Sequence, residues 1–254
     1  MKKRPKVGIF DSGIGGLSVL KACLTVFPEG QYYYFGDNEH APYGSRSPEE
    51  ITRYTEHAMH TFEKRGVSVA VIACNTATAV CIDEMRKKFS FPIVGVEPAV
   101  GQAVKQHKNI LVLATPRTAE SDRLKRLLAR FPYAEFTVCG LPHLAAAIEA
   151  YFHDGEGLTI SDHFAKIPCD AVVLGCTHYA LISEKIAEYL GVPVYDGAEG
   201  TARRVKFLLN VGTADHLDHG VFFGNKSHIS VVFLGKSKHM NEKLFKSNIC
   251  SQYF

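Results

Sequence analysis

Val67-Ser-Val-Ala-Val-Ile-Ala-Cys74-Asn75-Thr76 and Cys169-Asp-Ala-Val-Val-Leu-Gly-Cys176-Thr177-His178 are two versions of one pattern: a short apolar run, a cysteine and a polar turn. Runs this short, rich in Val, Ile, Leu and Ala and followed at once by helical periodicity, predict strands buried on both faces, as in a parallel sheet. Each cysteine then stands at the carboxyl end of its strand, the edge at which open α/β sheets bind ligands. If two such edges face each other, two thiols converge on one cleft. A carbon held between them loses a proton to one sulfur and gains one from the other.

Outward from these strands the elements repeat. Lys6 to Phe10 is a short apolar run, Asp11-Ser-Gly-Ile-Gly-Gly16 turns the chain, and Leu17, Leu20 and Leu24 recur at helical spacing. Tyr32 to Phe35 predicts a strand ending at Gly36-Asp37, before a loop containing Pro42-Tyr43-Gly44. Ser47, Pro48 and Glu50 make a capping box for a helix whose buried face is Ile51, Tyr54, Ala58 and Phe62. After the Cys74 strand, Ala77, Cys81, Met85 and Phe89 mark a helix, and Phe91 to Val96 is a further strand leading to Glu97-Pro98.

The order then begins again. Asn109 to Ala114 matches the opening strand, Thr115-Pro-Arg-Thr118 replaces the glycine turn, and Leu124, Leu127 and Leu128 mark a helix. Phe136 to Cys139 and the Leu144 to Phe152 segment lead to the Cys176 strand, and its helix carries Leu181, Ile182, Ile186 and Tyr189, with Gly191 and Pro193 as stop signals. Cys176 follows Cys74 by 102 residues and Asn109 follows Lys6 by 103. The expected fold is therefore α/β: two similar doubly wound α/β domains with parallel sheets facing each other across a cleft. The first comprises residues 1–96 plus about 206–254, the second 97–205. Another helix is expected from about Ala198 to Leu209; beyond Asp215 only Val221 to Phe223 and Ile229 to Leu234 stand out as apolar.

Composition narrows the function classes. Apolar content of 46% and charged content of 22% over 254 residues are ordinary for a globular protein. No apolar stretch approaches a membrane span, and Lys2-Lys3-Arg4 is followed by no signal-peptide hydrophobic region, so a cytoplasmic location is expected. Seven cysteines without paired spacing argue for reduced thiols. The net charge of +3 is dispersed and gives nucleic-acid binding no support; Arg203-Arg204 with Lys206 reads as a solvated helix face.

A strand, a glycine-rich turn and a helix point free backbone N–H groups at an anion. The dinucleotide pattern would need a third glycine where Ser18 stands, and Asp11 would repel a pyrophosphate; a small carboxylate with a nearby ammonium fits better. A turn that only permits close helix packing is the alternative. Cys23, Cys81, Cys139, Cys169 and Cys250 read as small packed hydrophobes. Cys74 and Cys176 are set apart by their shared strand-end position beside Asn, Thr and His. A thiol starts near a pKa of about 8.5, within reach of tuning toward a general base. His178 stands two residues beyond Cys176 and is placed to tune it or relay protons. Cys74, Cys176 and His178 lack the usual spacing of a zinc site, so no metal is expected.

Taken together, Val7-Gly-Ile-Phe-Asp-Ser-Gly-Ile-Gly-Gly16, Gly36-Asp37 with Pro42-Tyr-Gly44, Ala73-Cys-Asn-Thr76, Pro92-Ile-Val-Gly-Val-Glu-Pro98 and Gly175-Cys-Thr-His178 resemble the glutamate racemases of the aspartate/glutamate racemase superfamily, from about Val7 to Val205. The resemblance implies cofactor-independent racemisation of glutamate by two bases, supplying D-glutamate for peptidoglycan. It gives Cys74 the D-glutamate face and Cys176 the L-glutamate face, with Asp11 near Cys74, His178 near Cys176, and Glu149 as the glutamate of the second half. Ser12, Pro42, Tyr43, Gly44, Asn75, Thr76, Thr115, Thr118 and Thr177 fall where the family holds substrate. Short hydroxyls, an amide and backbone N–H groups suit two carboxylates. A homodimer, with no nucleic-acid or membrane partner, is also implied.

Two stretches depart from the family pattern. The usual proline-rich segment before Glu149 reads Gly140-Leu-Pro-His-Leu-Ala-Ala-Ala-Ile148, and the closing strand and long helix are matched only loosely, by Val231 to Gly235. Rival readings are an aspartate racemase, a non-catalytic amino-acid-binding paralogue and a pyridoxal-phosphate racemase.

Overall fold

The computed structural model describes residues 4–209 and the strand Ile229–Leu234. The expectations for Val221 to Phe223, Cys250 and the end from Lys236 lie outside the described residues.

The first half folds as β1 (Lys6–Asp11), α1 (Leu17–Val26), β2 (Gln31–Asp37), α2 (Pro48–Arg65), β3 (Val69–Ile72), α3 (Asn75–Lys88) and β4 (Ile93–Gly95). The second comprises α4 (Val100–Ala103), β5 (Asn109–Ala114), α5 (Pro116–Glu120), α6 (Asp122–Leu128), β6 (Glu135–Gly140), α7 (Leu144–Asp154), β7 (Ala171–Gly175), α8 (Thr177–Ala180), α9 (Ser183–Leu190) and β8 (Val194–Tyr195). α10 (Ala198–Leu208) and β9 (Ile229–Leu234) close the described chain.

All the paired strands run parallel, and the two sheets repeat one order: β4-β3-β1-β2 in the first and β8-β7-β5-β6 in the second. The internal spacing in the sequence reflects this repeat. β9 extends the first sheet beyond β2, with Ile229 opposite Tyr32 and Leu234 opposite Asp37, so the loosely matching tail segment supplies a fifth strand. In each sheet the chain reverses its winding direction between the first and third strands, the crevice where such folds bind ligands. Asp11 ends β1 and Cys74 follows β3 after Ala73; Thr115 directly follows β5 and Cys176 directly follows β7.

Local chemistry accounts for the elements. Ser47 Oγ accepts from the Glu50 N–H at 3.2 Å and Glu50 Oε2 accepts from the Ser47 N–H at 3.0 Å, the expected capping box, while Gly66 ends α2 at φ 63°. Ile51, Ala58 and Phe62 are buried as expected, together with Thr55 and Met59. Tyr54 is instead half-buried at the helix margin, stacked on the His40 ring at 3.8 Å. Thr115-Pro-Arg-Thr118 is not a plain turn: Thr115 caps α5, accepting from the Thr118 N–H, with Pro116 at its start. The helix expected after Cys176 is divided into α8 and α9, and Tyr189 donates to the Phe164 carbonyl at 3.1 Å.

One apolar core runs through both halves, from Val7, Ile9, Val69 and Val71 of the first sheet to Leu111, Leu113, Val172 and Leu174 of the second. The outer face of the first sheet packs Phe10, Ile72 and Phe35 against α2 and α3; that of the second packs Ile110, Val112 and Val173 against Val100 of α4 and Leu124 of α6. Fully burying one such side chain stabilises the fold by about 1.5–3 kcal/mol. α10 already packs on α1, β3 and β4, so the chain is back on the first sheet ahead of the position near 206 expected from sequence. No described helix is long and apolar enough to cross a membrane.

Candidate active site

The carboxyl edges of the two sheets meet along a seam, and side chains cross it. Thr177 Oγ1, one residue beyond Cys176, donates to Asp11 Oδ1 at 3.0 Å. Thr76, on the first turn of α3, has its hydroxyl 3.0 Å from that of Thr115 and 3.4 Å from that of Thr118, and the Thr115 hydroxyl donates to Thr118 Oγ1 at 3.0 Å. Gly44 lies against Thr115, which a Cβ at position 44 would meet at 3.3 Å.

The glycine turn is the tightest part of this seam. A Cβ on Gly15 would stand 2.6 Å from the His178 backbone nitrogen, and one on Gly13 would collide with Glu149 Oε1. Gly15 is required by the close approach of the α8 backbone, whereas Gly13 faces the ends of the Glu149 and His178 side chains. The free N–H groups of the turn do receive anions, but these are the protein's own carboxylates: Gly13 N–H donates to Asp11 Oδ2 at 3.0 Å and Ile14 N–H to Glu149 Oε1 at 3.2 Å. These two N–H groups hold the protein's own carboxyl groups in place at the seam. Tyr34 fixes the turn from below, its hydroxyl donating to the Gly13 carbonyl at 2.7 Å.

Each sulfur sits at the amino end of a helix. Cys74 caps α3, its Sγ accepting from the Ala77 N–H at 3.5 Å, and is 4% exposed; Cys176 precedes α8 and is 7% exposed. The charges of the two thiols reach each other: burial first, then the Asp11 carboxylate and, more weakly, Cys176 push the Cys74 thiol up to about 12, against the Ser12 hydroxyl and the Ala77 N–H. Cys74 is thus held protonated.

Cys176 has a different companion. His178 Nδ1 is 4.0 Å from its sulfur, and His178 Nε2 is 2.6 Å from Glu149 Oε1. Burial opposes charge on this ring, but its contacts with Cys176 and Glu149 outweigh burial and hold the imidazole well above the usual histidine range. Burial likewise opposes charge on Glu149, yet contacts with His153 and His178 bring its carboxyl down to about 2. Asp11 goes the other way: burial raises it, and the His178 charge, the Gly13 and Gly16 N–H groups and the Thr177 hydroxyl do not cancel that cost. An imidazolium beside Cys176 is a counter-charge for a thiolate, whereas Cys74 lies beside a carboxylate.

Of the residues expected at the site, Asp11, Ser12, Tyr43, Cys74, Asn75, Thr76, Thr115, Thr118, Cys176, Thr177 and His178 are buried, and Glu149 is largely buried. Tyr43 is fixed by donating to Asp37 Oδ2 at 2.6 Å, while Pro42 and Gly44 are only part-buried at the margin. The altered stretch before Glu149 runs from the end of β6 into the opening of α7 and still delivers this carboxylate to His178. His153, whose Nε2 is 2.8 Å from Glu149 Oε2, was not among the expected residues; its only sequence signal is the four-residue spacing from Glu149. Among the described residues, no group of three or more His, Cys, Asp or Glu side chains is arranged to hold a metal ion. Two clefts lie elsewhere, one of about 820 Å³ beside β4 and α10 and one of about 1030 Å³ beside α1 and α9, and neither is lined by Cys74 or Cys176.

Comparison with known proteins identifies relatives of this chain. Residues 17–205 match the model of the Asp/Glu/Hydantoin racemase family. The chain is 33% identical to the glutamate racemase of Halothermothrix orenii, over 95% of this chain and 96% of that protein. It is 38% identical to that of Campylobacter curvus, over 79% of this chain and 81% of that protein. The crystal structure of Escherichia coli glutamate racemase, in complex with L-glutamate and the activator UDP-MurNAc-Ala, superposes with a TM-score of 0.82 at 30% identity, covering 99% of this chain and 96% of that one. A strand-end thiol from each of two repeated sheets, joined by buried carboxylates across one seam, thus belongs to a chain of the Asp/Glu/Hydantoin racemase family.

Proposed function

We propose that the protein interconverts L-glutamate and D-glutamate by proton transfer between two thiols, without a cofactor. The observation that carries this reading is the placement of Cys74 and Cys176 at the winding-reversal crevices of two sheets that share one seam. A carbon acid bound there has one sulfur on each face.

In the L-to-D direction Cys176, as thiolate beside the His178 cation, takes the α-proton from L-glutamate. Cys74, held as a thiol by burial and by Asp11, donates its proton to the opposite face. One C–H bond breaks and one forms, the α-carbon inverts, and the charge has moved from Cys176 to Cys74. Return through the reverse protonation state converts D- to L-glutamate. Ser12, Asn75, the Thr76–Thr115–Thr118 hydroxyls and the Tyr43-Gly44 turn hold the two carboxylates and the ammonium. The D-glutamate formed supplies peptidoglycan synthesis in the cytoplasm, and the active unit is a homodimer.

Purified, dialysed protein incubated with L-glutamate should lose its circular-dichroism signal until the two enantiomers are equal, with L-aspartate turned over far more slowly. Activity restored only by pyridoxal phosphate, or selective for aspartate, would overturn this reading; binding without turnover would make the chain a non-catalytic paralogue.

A further inference from the structure

Glu149 carries a histidine on each carboxylate oxygen. Oε1 meets His178 Nε2 at 2.6 Å and the Ile14 N–H at 3.2 Å, while Oε2 meets His153 Nε2 at 2.8 Å. His153 sits one helical turn after Glu149 on α7, with both side chains 14% exposed. Its other ring nitrogen, Nδ1, is buried with no hydrogen-bond partner among the described residues. A buried ring nitrogen left unpaired is a cost, so what holds the ring in place is its contact with Glu149.

The consequence is geometric. The terminal torsion of a glutamate side chain is soft and broad, and an oxygen without a partner would let the carboxylate plane turn away from His178. Held at both oxygens, the plane is fixed, and with it the His178 ring whose Nδ1 faces Cys176 Sγ at 4.0 Å. We infer that His153 is a positioning residue for the proton transfer at Cys176, acting through Glu149 and His178 on one face of the reaction only. The inference rests on the two-thiol reading and on the assignment of Cys176 to the L face.

Because the enantiomers have equal free energy, kcat/KM must be the same in both directions in any variant, so the rate alone does not show which face is affected. Primary isotope effects do. In ordinary water, α-deuterated L-glutamate slows only transfer to Cys176 and α-deuterated D-glutamate only transfer to Cys74. In His153→Leu, kcat/KM should fall about tenfold, the loss of one charge-assisted hydrogen bond. The isotope effect on kcat/KM should rise for deuterated L-glutamate and shrink for deuterated D-glutamate. His153→Gln, whose amide N–H replaces Nε2–H, should recover both parameters to within about threefold. Should His153→Leu fail to fold, His153→Asn, too short to reach Oε2, takes its place.

Unchanged isotope effects, or a parallel change in both, would overturn the inference by making His153 merely structural. A shift in the opposite sense would keep His153 tied to one thiol and overturn the face assigned to Cys176. Absence of racemisation by the unmodified protein would overturn the two-thiol reading itself.

Discussion

The Thr177 hydroxyl donates to Asp11 Oδ1 at 3.0 Å, so the residue that follows one thiol is bonded to the carboxylate that acts on the other. This bond crosses between the two repeated sheets in a fully buried place, where the Gly13 N–H at 3.0 Å supports the second carboxylate oxygen. Thr177→Val keeps the shape and removes the donor. It should cost about 1–3 kcal/mol of stability, measured by urea unfolding, and raise the KM for glutamate. An unchanged unfolding midpoint would show that the seam does not depend on this bond.

Either thiol alone is insufficient for inversion. Cys74→Ser and Cys176→Ser should each lower racemisation by a factor on the order of 10³, since a serine hydroxyl is far less acidic than a thiol. Cys81→Ser is the control: Cys81 is buried on α3 with its Sγ donating to the Ala77 carbonyl at 3.2 Å, away from the seam. Near-normal turnover by either strand-end variant would remove that cysteine from the reaction.

Much of this arrangement is legible in the residues alone. The apolar runs before Cys74 and Cys176 are buried throughout, so their composition reports strand and edge together, and the 102-residue spacing reports the repeated strand order. The Ser47–Glu50 capping box is equally plain because its chemistry is local. Contacts made between distant segments are not. That Ile14 N–H serves Glu149, 135 residues away, depends on how α7 meets the glycine turn, which no periodicity encodes. β8 has two residues and α4 four, too few to establish a period. Thr115 was readable as a turn residue, but its role as a cap and as the hydroxyl next to Thr76 depends on the seam.

Glycine at position 15 is dictated by the His178 backbone, an atom that cannot swing aside. Gly15→Ala should separate α1 from α8, destabilise by about 1–3 kcal/mol and lower kcat more than an alanine at exposed Gly157, which has open space around it. Thermal unfolding and steady-state kinetics test this together; equal behaviour of the two variants would contradict the packing argument.

Acid stability should carry the mark of Glu149. Its folded value of about 2 lies below the ordinary 4.5, so its contribution is present above pH 4.5 and is lost as pH falls toward 2. The size is on the order of 3 kcal/mol. Asp11 has the opposite sign, because its folded value is raised above 3.8, and its cost is relieved as pH falls toward that value. His178, raised above 6.5, stabilises fully below 6.5 and loses that contribution as pH rises through its folded value. Unfolding free energy measured from pH 7 down to 2 should therefore fall less steeply in Glu149→Gln than in the unmodified protein. Parallel curves would contradict the carboxylate's assigned environment.

Inversion between two thiols is tested most directly by running L-glutamate racemisation in deuterium oxide and following the α-carbon of the product from the earliest turnovers by mass spectrometry. The proton taken by Cys176 is not the one delivered by Cys74, so the first D-glutamate formed should already carry solvent deuterium at its α-carbon while unreacted L-glutamate does not. Early D-glutamate that retains the substrate's own α-hydrogen in quantity would mean a single base serving both faces, and would contradict the roles given to Cys74 and Cys176.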